Sequence, residues 1–372
     1  MKQKVRNIMF SVSFVIIGGG ILLRGGHHTL REYAEKTFYP TMVYAIEEET
    51  ESDLNDTLLK SILPLYEYMS ENTPPEAEVE DHLTYEMILA QQENDEYTMS
   101  EEIEVQAQDS QNAQTTQTAD ISIDKLRDFN YLLSKFYTVD STTTIGPDQL
   151  NVDDLLSRDM KIDTSKSGPK ILIFHTHSQE AFVDSVAGDS STTIVGMGRY
   201  LSELLNAKGI ETLHHNGVYD LIDGKLDRSK AYQMAEVGVK DILNQNPSIE
   251  VVIDLHRDGV PETTHLVTQV NGKQTGKIMF FNGLSRTKTN GDIAYLPNPY
   301  IQDNLSFSFQ MQLASEKLYP GLARRIYLKG YRYSLHLMPK SLLIESGAQT
   351  NTVQEMKNSM ELLANILVEV LL

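Results

Sequence analysis

His177 and Glu180 stand three residues apart in the run ILIFHTHSQE, which spans Ile171 to Glu180. An imidazole and a carboxylate at that spacing, on a tight turn leaving a strand, can grip one cation. A zinc hydrolase needs three protein ligands and one open position for water. Two further runs end in the same way. IEVVIDLHRDG places His256 after the mainly apolar residues 251–255, and SLLIESG places Glu345 after residues 342–344. His256 and Glu345 are therefore candidates for the third ligand and for a general base. The chain contains no cysteine, so any metal must be held by nitrogen and oxygen, which suits zinc on His and Glu. The chemistry expected of such a set is amide hydrolysis, with an acidified water and a carboxylate to move its proton. His175, two residues before His177, offers a competing imidazole.

Positioning these groups requires a sheet. Each of the three apolar runs reads as a strand buried on both faces, and together they set the groups at the carboxyl edge of one α/β sheet. Helical stripes lie between them. Leu126, Phe129, Leu132, Leu133 and Phe136 recur at helical spacing, as do Ile194, Met197, Leu201, Leu204 and Leu205, which stop at Gly209. A helix from Ser229, as N-cap, to about residue 244 ends before Pro247. Others are expected over residues 306–318 and 352–371, and further strands over residues 210–213, 266–270, 277–281 and 325–328. Strand and helix alternate with few hairpin signals, so a three-layer α/β/α domain with a mainly parallel sheet is expected over residues 120–372.

The residues before that domain differ in kind. Lys2, Lys4 and Arg6 precede an apolar run from Ile8 to Leu23. This reads as a cytoplasmic tail over residues 1–6 and an uncleaved membrane anchor over 7–23, with the rest exported. Residues 24–119 read as a juxtamembrane segment and an acidic, low-complexity, disordered spacer. The formal net charge is −20, and residues 47–109 hold 20 acidic groups against the single base Lys60, a balance of −19. Acidity is thus a property of the spacer, and the absence of any basic face excludes nucleic acid as a partner.

The runs LRDFNYLLSKFYTVDSTT, ILIFHTHSQEAF, VYDLIDGKLDRSKAY, PSIEVVIDLHRDG, KIMFFNGLSR and LLIESGAQTNTVQEM closely resemble the stage II sporulation protein P family. The resemblance extends from about Asp120 to the C-terminus. It implies a membrane-anchored peptidoglycan hydrolase of endospore-forming bacteria, acting in forespore engulfment. The implied activities are those of an N-acetylmuramoyl-L-alanine amidase and an endopeptidase, with stage II sporulation proteins D and M as partners. The implied location is the cell membrane, single-pass, with the catalytic domain on the extracytoplasmic side.

Similarity to the wider zinc amidase class implies a phosphorylase/hydrolase-like fold and a His, Glu, His metal site with a late catalytic glutamate. That pattern falls on His177 and His256 as ligands and on Glu345 as the late glutamate. The middle glutamate of that class opens the helix after the first strand, where this chain reads TTIVGMG and has no carboxylate. Glu180, in the H-x-x-E arrangement, is the nearest candidate, and His175 is its rival.

Other residues complete the picture. Arg257 and Arg228 are candidates to steady a substrate carboxylate or an oxyanion. Asp254 and Asp258 flank His256, and one of them can orient an imidazole N–H. His214, His215, His265 and His336 lack strand-end context and read as structural or surface groups. Two rival functions fit the same residues: a zinc carboxypeptidase or endopeptidase confined to stem peptides, and a non-catalytic wall-binding scaffold.

Overall fold

The computed structural model describes residues 119–372 apart from Ser229 and Asn290. In chain order the helices are α1 (Ile123–Leu126), α2 (Phe129–Phe136), α3 (Val152–Ser157), α4 (Ile194–Ala207), α5 (Ala231–Gln245), α6 (Ile301–Leu318) and α7 (Val353–Leu371). The strands are β1 (Tyr137–Val139), β2 (Ile171–Phe174), β3 (Thr212–His214), β4 (Leu221–Ile222), β5 (Lys225–Leu226), β6 (Val251–Asp258) and β7 (Val267–Val270). They continue with β8 (Lys273–Gly276), β9 (Ile278–Gly283), β10 (Arg286–Thr287), β11 (Gly291–Asp292), β12 (Ile326–Lys329) and β13 (Ser341–Ala348).

Seven strands form one sheet in the order β1-β12-β9-β13-β6-β2-β3. Every neighbouring pair is parallel except β13 and β9. The mainly parallel α/β sheet read from the sequence is therefore present, and its strands are covered on both sides. Alternation along each strand sorts the residues. Ile171, Ile173, Val251, Ile253, Leu342 and Ile344 face one way, against Met197 and Leu201 of α4, Leu305 and Phe309 of α6, and Met360 and Leu363 of α7. Leu172, Phe174 and Val252 face the other way, against Ala231, Ala235 and Val239 of α5. Complete burial of each such aliphatic or aromatic side chain contributes about 1.5–3 kcal/mol, so the sheet centre is strongly held.

The helix ends follow local chemistry. Thr352 accepts from the Glu355 amide while Glu355 reaches back to the Thr352 amide, a reciprocal cap that starts α7. The single helix expected over Leu126 to Phe136 is divided in two. Asp128 takes extended backbone and accepts from the amides of Asn130 and Tyr131, so it caps α2 instead of continuing α1. The N-cap of α5 is Lys230, one residue later than expected.

Three hairpins depart from the expected alternation, β4–β5, β7–β8 and β10–β11, and the first two have two-residue turns. Asp223 and Gly224 join β4 to β5, and Asn271 and Gly272 join β7 to β8, with all four residues at positive φ. These two-residue turns match the right-handed strand twist, and Asn-Gly and Asp-Gly adopt them at least cost.

The single-pass membrane location is corrected by the structure. Among the described residues no helix is long and apolar enough to cross a membrane. Even the longest, α7, carries Glu355, Lys357, Glu361 and Glu369. The run 7–23 on which that expectation rested, the tail before it and the spacer up to residue 118 lie outside the described residues.

Candidate metal centre

Strand β2 ends at Phe174, and the chain then turns through HTHSQE. Three ligand-type side chains converge beside it: His177, Glu180 and His256, with one ligand atom from each lying within 4.8 Å of the others. His177 Nδ1 is 3.3 Å from Glu180 Oε1, and His256 Nδ1 is 3.8 Å from the same oxygen. Tetrahedral zinc with bonds near 2.1 Å separates its ligand atoms by roughly 3.4 Å, so the spacing fits that ion. A further observation agrees: His177 Nε2 is buried without a hydrogen-bond partner among the described residues, leaving the ring adaptable to a metal on either nitrogen.

Neighbouring groups hold these three side chains. Asp254 Oδ1 accepts from His256 Nε2 at 2.7 Å, which turns the ring so that Nδ1 faces Glu180. Asp254 is itself fixed by the amide of Thr176 at 2.9 Å, the Thr176 hydroxyl at 2.6 Å and the Ser334 hydroxyl at 3.1 Å. Glu180 Oε2 accepts from the backbone amide of Arg257 at 2.8 Å. The loop between the two HTHSQE ligands rests on Asp220, which accepts from the Ser178 hydroxyl at 2.7 Å and the Gln179 amide at 3.0 Å. The ring of Tyr232 walls the site, edge-on to His177 at 5.6 Å and parallel to His256 at 6.5 Å.

Charge in the metal-free site is distributed unevenly. Burial opposes ionisation of His256, but the carboxylates of Asp254 and Glu180 outweigh it and hold the imidazole well above its usual range. Burial also opposes ionisation of Glu180, and hydrogen bonds from His177 and His256 outweigh it, keeping the carboxyl well below its usual range. Burial lowers His177, assisted by the charge on His256. The site is thus arranged around a positive charge, which a dication would supply more strongly than a proton.

Glu345 lies in β13 directly beside His256 in β6, as parallel partners in register. Both residues sit inside their strands, and neither follows a strand end as the sequence suggested. Glu345 Oε2 is buried without a hydrogen-bond partner among the described residues. Burial and the charge of Asp258 push its carboxyl up to about 8. Asp258 itself is paired with buried Arg324 at 2.6 Å, so of the two aspartates flanking His256 it is Asp254 that orients the imidazole.

The remaining candidates divide. Arg228 Nη2 reaches Glu180 Oε1 at 3.7 Å and so stands in the centre. Arg257 contributes its backbone amide, while its guanidinium donates to the carbonyls of Ala181 and Asp258. His175 is not brought into the cluster. It shares the sheet face of Ile171 and Ile173, is fully buried, and engages the Leu255 carbonyl at 2.7 Å and His214 Nε2 at 2.9 Å beneath α4. His215 meets the Tyr219 hydroxyl, His265 meets Glu355, and His336 meets Glu236, all away from the three converging ligands. Asp220 escaped the sequence reading because it lies 42 residues from Ser178, and nothing local marks a carboxylate that braces so distant a loop.

The sequence compares with known proteins as follows. A curated relative, stage II sporulation protein P of Bacillus subtilis (strain 168), is 23% identical over 231 residues, covering 58% of this chain and 54% of that protein. The match thus spans about half the length of that relative. Among solved structures, the N-acetylmuramoyl-L-alanine amidase AmiC2 of Nostoc punctiforme is similar at 14% identity and a TM-score of 0.31, covering 55% of this chain and 98% of that one. The CwlD amidase from Clostridioides difficile, solved with the GerS lipoprotein, gives 14% identity and a TM-score of 0.32, covering 54% and 99%. The sequence pattern of the family described as Stage II sporulation protein P (SpoIIP) matches residues 53–368. A match over that much of its length establishes that the chain belongs to the stage II sporulation protein P family.

Proposed function

We propose that the chain is a zinc-dependent peptidoglycan amidase acting in sporulation, which hydrolyses the bond between N-acetylmuramic acid and the stem peptide. The hydrolytic unit is residues 120–372. The observation that carries this reading is the convergence of His177, Glu180 and His256 beside Glu345, which adjoins His256 across two paired strands. Family membership supports the substrate and the sporulation setting. On the same ground, stage II sporulation proteins D and M are its proposed partners, and cleavage of stem-peptide cross-links is its proposed second activity.

His177, Glu180 and His256 would hold the ion, two imidazoles and a carboxylate being the donor set of one class of zinc hydrolase. When bound, zinc supplies Lewis-acid polarisation of the scissile carbonyl and lowers the pKa of water toward ~7. Glu345 takes the proton from the attacking water and returns it to the leaving amine. Its unpartnered oxygen, and a carboxyl raised to about 8, suit a group that must both accept and release a proton near neutral pH. Asp254 keeps the His256 ring oriented, and the Arg228 guanidinium lies at the edge of the centre where charge develops.

The test is digestion of purified sacculi followed by mass spectrometry, alongside zinc analysis of the same protein. Whole stem peptides freed from intact glycan are expected. Products cut only within stem peptides would replace the amidase reading with that of a peptidase. Zinc-loaded protein that releases nothing would replace it with a scaffold.

A further inference from the structure

The carboxylate of Asp220 is fully buried, yet among the described residues no Lys, Arg or His lies within ion-pair distance of it. Removing a charge from water without a counter-charge is costly unless hydrogen bonds replace the lost solvation. Both of its oxygens are committed to the same short stretch. Oδ1 accepts from the Ser178 hydroxyl and Oδ2 from the Gln179 amide, the two residues that separate His177 from Glu180. The Gln179 side chain closes the group by donating to Ser178 Oγ at 3.0 Å.

Other contacts of the loop show why this matters. Thr176, before His177, is tied to Asp254, and the carbonyl of Glu180 accepts from Ile194 at the start of α4. Ser178 and Gln179 have Asp220 as their brace. Asp220 is in turn rigidly placed, because its own carbonyl accepts from the Asp227 amide at 2.9 Å and closes the base of the β4–β5 hairpin. The chain leaving that hairpin delivers Arg228 to Glu180. One short segment therefore fixes the loop from behind and approaches its carboxylate ligand from in front.

We infer that Asp220 is a positioning residue of the metal centre, which sets the separation of His177 and Glu180 through Ser178 and Gln179. The inference rests on the metal reading given above. Partners that orient ligands typically change metal affinity by roughly 10–100-fold when removed. In the Asp220→Ala variant both bonds are lost and the loop is free to relax. In Asp220→Asn the side-chain oxygen can still accept from the Gln179 amide and the NH₂ can donate to Ser178 Oγ, so most of the geometry is retained.

The experiment measures zinc dissociation constants of the full chain by competition with a chromophoric chelator, below the melting transition of the metal-free protein. Asp220→Ala is expected to bind zinc roughly 10–100-fold more weakly than wild type, with Asp220→Asn and Ser178→Ala weakened only several-fold. Val239→Ala, a core truncation on the buried face of α5, measures the effect of general destabilisation and is expected to leave zinc affinity unchanged. Folded Asp220→Ala with wild-type affinity overturns the inference, as does a loss no greater than that of Val239→Ala. Should Asp220→Ala not fold, Ser178→Ala decides: weakened binding supports the brace and wild-type binding overturns it. A wild-type protein that takes up no zinc, or His177→Ala that retains it, fails the metal reading itself, and the inference falls with it by a different signature.

Discussion

Replacing Glu345 with Gln separates holding a metal from doing chemistry, and the structure sets the size of each effect. The side chain is beside His256 but outside the three converging ligands, so zinc content should stay at wild-type stoichiometry. Peptidoglycan cleavage should fall by roughly 10²–10⁴-fold, the contribution of a positioned base, equivalent to about 2.7–5.5 kcal/mol of barrier. The metal-free protein provides a second reading. The Glu345 carboxyl ionises at about 8 in the fold against 4.5 ordinarily, so the folded state binds the extra proton between those values. Stability from this source is complete below the unfolded value and is lost as pH rises through the folded one. Gln imitates the protonated acid at every pH. Between pH 5 and pH 8 the wild type should therefore lose stability relative to Glu345→Gln, by up to a few kcal/mol. Urea midpoints in the presence of a chelator at the two pH values measure the difference. Parallel curves for the two proteins would refute the burial argument, loss of zinc would move Glu345 into the ligand set, and near wild-type cleavage would remove its catalytic role.

Other outcomes follow from the same geometry. His177→Ala and His256→Ala should each abolish stoichiometric zinc by elemental analysis, whereas His175→Ala should retain it and lose about 2–4 kcal/mol of stability in urea titration, because the Leu255 carbonyl and His214 lose their buried partner. Zinc uptake should release at least one proton at pH 7, since His256 is held well above its usual range in the metal-free site. Calorimetry in buffers of different ionisation enthalpy would show this, and binding heats independent of buffer would contradict it. Gly198→Ala should destabilise the fold by about 1–3 kcal/mol on thermal unfolding, because a Cβ there would lie 2.5 Å from His175 Nε2 and 2.8 Å from His214 Nε2.

How much was legible beforehand depends on the range of the interaction that decides each feature. Strands β2, β6 and β13 were readable because a strand buried on both faces must be continuously apolar, and Ile171–Phe174 satisfies that within four residues. The candidate ligands were visible because they follow or end such runs. Two of the hairpins were also written locally, in Asp223-Gly224 and Asn271-Gly272, but the weight given to strand and helix alternation hid them. That Glu180 and not His175 joins His177 and His256 in the cluster follows from parity. A period of two carries His175 onto the face of Ile171 and Ile173, under α4, and the chain has to leave the strand before a side chain can turn to meet His256. That argument needs only the strand and its end, so it was available from the sequence. The brace at Asp220 was not. Its partners are 42 residues away, and they meet because β3 pairs with β2 and the chain returns from β3 toward the β2 loop before the hairpin begins. Candidate ligands on or just past a buried apolar strand can be read from one stretch at a time, whereas the carboxylates that hold them, Asp220 on the loop and Asp254 on both Thr176 and His256, acquire their roles only when the sheet order is known.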